Sequence, residues 1–351
     1  MKHHVLLLSA ALCCACGDGE ETTDDTVELQ RALQNSVDEI IVPTMGDFVT
    51  TVDTLSTNVT AFCAAPSESG LSGLQNDWRA MVTAWNRAAL YNVGPLNQDL
   101  IFPRVIFIES MRQRGIDYTS TVREAIDAAL ADSAALDAAF FDAQLFTESG
   151  ILSLEVQLFE SASDSSTVVG DVAAEFQSSP RQCDYLAGTA DRLRRVAGDA
   201  LAGWTTNYLE TGTSFRDVMV VDGRLEDGTE SVPALVVTAF DHLEYVKRRK
   251  LEGILDAQLA DHFYENLVSS LDELSSLLDS PSYGFFDHMT ARGFSAEVTD
   301  AQAAIASARS AAIAEDRAAV TAAWGIVEGF LKREIPNGLN VDLGINFSDG
   351  D

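Results

Sequence analysis

His262 and Glu265 stand three residues apart, the spacing at which one helical turn presents an imidazole and a carboxylate side by side, as metal sites in helix bundles require. Asp261 is adjacent, and Asp241, His242 and Glu244 lie in the preceding segment, so this group could hold iron or zinc. The plainer alternative is that all are exposed polar groups on amphipathic helices. Glu155 is the second candidate. It interrupts the apolar run from Ile151 to Phe159, where a charge is drawn into the interior and must find a partner. That partner is a bound ligand lodged in a polar pocket, or else an arginine such as Arg87 or Arg104. Catalytic patterns are lacking: the chain has no His-Glu-x-x-His, no Gly-x-Ser-x-Gly and no glycine-rich phosphate loop. No catalytic residue is assigned.

Five cysteines divide into two groups. Cys13, Cys14 and Cys16 close a leader that begins with Lys2 and continues through the apolar run Val5 to Leu12, too short to span a bilayer of roughly 30 Å. Small residues before Cys16 and the polar stretch after it resemble a bacterial lipoprotein cleavage site. Residues 1–16 are therefore expected to be a signal peptide ending at a lipidated Cys16, with residues 17–27 as an acidic tether. Gly17, where an aspartate would mark retention at the inner membrane, favours an outer-membrane anchor facing the periplasm or the cell surface. The remaining pair, Cys63 and Cys183, is even in number and exported to an oxidising compartment, which predicts a disulfide between them. A reactive thiol or metal pair is the alternative, but neither cysteine belongs to a CxxC.

Long helices must position these groups. Leu186, Ala190, Leu193, Ala197, Leu201, Trp204 and Tyr208 recur at steps of three and four, leaving Asp191, Arg192, Arg194, Arg195 and Asp199 for the wet side. Leu74 to Leu90 behaves alike, gathering Trp78, Met81, Val82 and Trp85, and Trp204 and Trp324 also read as core anchors. Further helical runs span Val122 to Leu136 and Val298 to Phe330, the latter followed by Pro336-Asn337-Gly338 as a stop. Val218 to Val221 is the best extended candidate. The expectation is an all-α chain of two four-helix-bundle-like domains, residues 28–210 and 234–351, joined by an irregular linker at 211–233. A match between Arg79–Trp85 and Arg317–Trp324 hints that the two are a pseudo-duplicated pair. The charge excludes one class of partner: 23 basic against 54 acidic residues give −31, and nucleic acid needs a basic face. Lys247 to Lys250, the densest basic cluster, reads as a solvated helix face or a source of inter-domain salt bridges.

An ordered set of segments resembles the imelysin family of bacterial lipoproteins: Trp78 with Trp85-Asn86-Arg87, Val93-Gly94-Pro95, Gly150 to Phe159, Cys183-Asp184-Tyr185, Val246 to Leu251 and the closing Leu343 to Asp351. The resemblance covers nearly the whole mature chain. It implies paired helical bundles in the cell envelope, often tied to iron acquisition, and in some members an insulin-cleaving peptidase. The family's metal motif is Gly-x-His-x-x-Glu, of which Gly150 and Glu155 are present while Leu152 occupies the histidine position. Leucine cannot ligate a metal, and one carboxylate holds a transition metal weakly. The expected role is a non-catalytic binding component in iron or other metal uptake, with iron-uptake or envelope proteins as partners. A metallopeptidase and a structural outer-membrane lipoprotein are the alternatives.

Overall fold

The computed structural model describes residues 21–99 and 101–343, and every regular element in them is helical. An isolated bridge between Arg224 and Glu230 is the one extended pairing among the described residues. The leader, Cys16 and the first four tether residues lie outside them, as does the tail from residue 344. No helix among the described residues is long and apolar enough to cross a membrane.

Helix α1 (Glu21–Asn35) runs through a π-helical turn, Ser36–Ile41, into α2 (Val42–Ala64). Residues 21–27, expected as tether, are thus already helical. Ser67, whose hydroxyl accepts from the Gly70 amide at 3.2 Å, caps α3 (Glu68–Ala88). Short helices follow: α4 (Arg104–Ile108), α5 (Thr119–Ala131), α6 (Ala138–Ala143), α7 (Gly150–Phe159) and α8 (Val169–Ser178). Pro180, preorganised for a first helical turn, opens α9 (Pro180–Thr205). The second half holds α10 (Phe215–Asp217), α11 (Ser231–Tyr245), α12 (Phe263–Leu278), α13 (Phe285–Ala291), α14 (Ser295–Ile313), α15 (Arg317–Lys332) and α16 (Glu334–Leu339).

One hydrophobic core runs from Ala32 to Leu339 and takes in all four tryptophans, each at most 1% exposed. A smaller cluster joins Val122, Ile126, Phe141, Val156 and Tyr185. The continuous first helix links the two expected blocks: α2 packs on α3 and α9, while the turn before it reaches α12, where Ser36 Oγ donates to the Leu277 carbonyl at 3.2 Å. The Cys63–Cys183 disulfide ties α2 to α9, with Cα atoms 5.5 Å apart.

Several local expectations are corrected. Val218 to Val221 is not extended but forms a π-helical turn with Met219 buried. Within the segment expected as a linker, 211–233, Phe215 packs edge-on against Trp204 at 4.8 Å. Gly94, at φ +51°, permits this: an added Cβ would fall 2.4 Å from the Phe215 ring. Pro336-Asn337-Gly338 does not stop α15 but builds α16, which ends at left-handed Asn340. Arg192, expected on the wet face of α9, is 7% exposed.

Candidate functional site

Gly150 opens α7 at φ +77° with its Cα against the end of α4, where a Cβ would lie 2.4 Å from the Ile108 carbonyl oxygen. Any side chain would push α7 away. This close approach sets Glu155 in the lining of a narrow cleft with room for about 60 Å³, with Trp78, Val82, Leu152 and Leu255 among its walls. The indole of Trp78 fixes the wall by donating to the Ile151 carbonyl at 3.1 Å.

Glu155 is 3% exposed, and its Oε1 accepts the Leu259 and Ala260 amides at 3.0 and 3.1 Å. It therefore pairs with neither Arg87 nor Arg104: Arg87 Nε goes to Glu273 Oε2 at 2.8 Å, and Arg104 donates to the Pro95 carbonyl. Burial pushes the Glu155 carboxyl up to about 8, with nearby Asp256 adding to the shift and the two amides opposing it. At neutral pH the side chain is a neutral acid.

Glu109 also faces this cleft and is equally buried, yet it is ionised. Its Oε1 receives Lys250 Nζ at 2.7 Å and the Tyr245 hydroxyl at 2.8 Å; its Oε2 receives the Trp85 indole at 2.9 Å and Arg112 Nε at 3.4 Å. Burial alone would raise this carboxyl, but Lys250 and Arg112 outweigh it and hold it at about 2. Lys250 also reaches Asp256 Oδ2 at 2.5 Å, while Asp256 Oδ1 is buried without a hydrogen-bond partner. Arg112 stacks 4.3 Å from the Tyr245 ring and donates from Nη2 to His242 Nδ1 at 2.5 Å. Burial and the adjacent Arg112 and Lys250 charges hold the His242 imidazole well below its ordinary value, leaving it neutral.

The expected metal residues do not come together. His262 Nε2 lies 2.9 Å from Thr83 Oγ1, and its Nδ1 is 3.8 Å from an exposed Glu265 carboxylate, too far for a hydrogen bond. Glu265 faces a separate depression beside Asp272 and Arg309. Among the described residues no three His, Cys, Asp or Glu side chains are placed to hold a metal ion. Lys250, read with Lys247 as a solvated face or an inter-domain partner, is buried and joins the second half of the chain to Glu109 in the first. Lys247 pairs with Glu328 at 3.2 Å and Arg248 with Glu244 at 2.8 Å. Glu109, Arg112, Tyr245 and Asp256 were not singled out in the sequence. Glu109 carries the same signal as Glu155, an acid ending the apolar run Val105 to Ile108.

No curated protein matches this sequence. Among solved structures, an imelysin-like protein from Psychrobacter arcticum 273-4 superposes with a TM-score of 0.65 at 18% identity, covering 91% of this chain and 98% of that one. An iron-regulated protein A precursor from Parabacteroides distasonis ATCC 8503 does so with a TM-score of 0.58 at 14% identity, covering 92% and 97%. At such identities the likeness is one of fold. The family model described as Imelysin matches residues 41–277, more than half of the sequence, and the chain belongs to the imelysin family.

Proposed function

We propose that this protein is a non-catalytic binding component of the bacterial cell envelope, anchored through a lipidated Cys16, that serves iron or other metal uptake and takes its ligand in the Glu155 cleft. The observation that carries this reading is the cleft itself. Its walls are largely apolar, yet Glu109, Asp117, Glu155 and Asp256 all line it, and one of these, Asp256, keeps a buried oxygen without a partner. An unpaired oxygen at that depth costs free energy that a bound donor or cation would recover. Support also comes from the family and from the structurally similar protein described as iron-regulated.

The residues present do not fit a resident catalytic metal. Leu152 offers no donor where the family motif has histidine, and among the described residues no three His, Cys, Asp or Glu side chains are placed to hold a metal ion at Glu155. A hydrolytic zinc needs about three protein ligands and an open position. Metal is therefore cargo, held loosely or within a ligand that brings its own donors.

The test is titration of the mature chain with ferrous iron and zinc, in parallel with Glu155→Ala and Asp256→Asn. Weak binding that both variants abolish is expected. Binding that neither variant alters removes the cleft from the reading, and no binding at all favours a structural lipoprotein. Peptidase activity lost to a chelator and restored by zinc would promote the metallopeptidase.

A further inference from the structure

A second site lies away from the cleft, along α9. Arg192 projects from that helix toward α4 and the end of α6; its Nη2 donates to the Gln144 carbonyl at 2.9 Å, and its guanidinium sits 5.2 Å from the centre of the Phe107 ring. Its Nη1 is buried without a hydrogen-bond partner. Arg104, at the start of α4, lines the same open groove and donates only to the Pro95 carbonyl. Neither arginine has a carboxylate within ion-pair distance among the described residues, in a chain with 54 acidic residues. Burial lowers the pKa of both guanidiniums, as expected for charges left short of compensation.

The surroundings sharpen the contrast. Arg195 and Arg194, on the same stretch of α9, are already neutralised, Arg195 by Asp142 and Asp191, and Arg194 by Asp191. Asp199 and Asp142 line the same groove and act on Arg104 and Arg192 from a distance, but neither closes to an ion pair with them. A buried guanidinium with a free N–H is an incomplete arrangement, and the planar fork suits a carboxylate or phosphate oxygen pair. Phe102, 54% exposed, and Phe107, against which the Arg192 guanidinium sits, also line the groove.

We propose that this groove binds a small, free oxyanion carrying an apolar part, with the phosphate or carboxylate held between Arg104 and Arg192 and the apolar part against Phe102 and Phe107. The inference is independent of the Glu155 cleft and of any metal.

The test titrates the full mature chain with inorganic phosphate and with phenyl phosphate, and separately measures sedimentation with phosphatidylglycerol and phosphatidylcholine vesicles. Phenyl phosphate is expected to bind more tightly than inorganic phosphate. Arg104→Gln and Arg192→Gln should each cut that affinity at least tenfold, and Phe102→Ala should remove the advantage of the phenyl group. Should Arg192→Gln fail to fold, Arg104→Gln and Phe102→Ala carry the same test. Absence of binding to either phosphate overturns the proposal, as does an affinity unchanged in Arg104→Gln. Binding to phosphatidylglycerol vesicles alone overturns it as well, because the groove would then serve a lipid headgroup and not a free molecule.

Discussion

Two glutamates face one cleft at the same depth, each 3% exposed, yet Glu109 is ionised with its carboxyl at about 2 while Glu155 is neutral with its carboxyl at about 8. Burial penalises the charge of both. What separates them is the kind of donor each has gathered. Glu109 has two cations, a phenol and an indole, whereas Glu155 has two backbone amides and a neighbouring aspartate. Amide dipoles offset part of the desolvation, but full positive charge is needed to reverse it. Burial, together with the same two cations, keeps His242 neutral beside the carboxylate they ionise.

Removing the cation should break the contrast most strongly. Lys250→Met leaves Glu109 and Asp256 facing each other in the interior, and loss of one partner from a buried ion pair costs on the order of 3–5 kcal/mol. Urea unfolding at pH 7 measures it; a cost below about 1 kcal/mol would show that Lys250 is not what ionises Glu109. Next comes Glu155→Gln, whose effect depends on pH. The folded carboxyl titrates at about 8 against an ordinary 4.5, so the stability it contributes is complete below 4.5 and is lost as pH rises through 8. Glutamine has no proton to lose. The variant should match the wild type near pH 4 and exceed it above pH 8 by about 2–3 kcal/mol, a value reduced from the full shift for water in the open cleft. Glu109 has the opposite slope: depressed to about 2, it loses its stabilising contribution as pH falls from 4.5 toward 2. Stability curves of wild type and Glu155→Gln that stay parallel from pH 4 to 9 would refute the neutral assignment.

Much of the fold was legible because its signals are local. Steps of three and four placed Leu186, Leu193, Ala197 and Trp204 in the core, and all are buried. Parity and export paired Cys63 with Cys183. What escaped depends on contacts between distant segments. Arg192 sits on the polar arc of α9, and Phe107 of α4 and the Gln144 carbonyl just after α6 cover it. Val218 to Val221 has the β-branched composition of a strand, but it continues α10 and has no strand beside it to pair with. In the site, the apolar run marked Glu155 as buried, while its partners, the amides of 259 and 260, carry no side-chain signature at all. His262 and Glu265 have metal-like spacing, yet His262 precedes the first turn of α12 and turns toward Thr83, which the spacing cannot reveal.

Smaller changes tune the contrast. Tyr245→Phe removes one neutral donor from Glu109 and leaves both cations, so a loss of about 1–2 kcal/mol in unfolding free energy is expected, with the carboxylate still ionised. A loss as large as that of Lys250→Met would mean that donors act by number and not by charge.

Glu155 can be given what Glu109 already has. Leu152 lines the cleft one helical turn before Glu155 and is only half-buried, so Leu152→His restores the Gly-x-His-x-x-Glu pattern at a cost in stability of about 1 kcal/mol or less. The i, i+3 spacing sets imidazole and carboxyl on one face, and a zinc ion between them would act on Glu155 as Lys250 acts on Glu109, favouring the ionised form. Calorimetry at pH 7.5 should give at least tenfold tighter zinc binding than wild type, with proton release, and the gain should vanish in the double variant with Glu155→Gln. If the double variant binds zinc as well as the single one, the carboxyl is held by the Leu259 and Ala260 amides too firmly to take a cation, and its neutrality reflects those bonds instead of a missing positive charge.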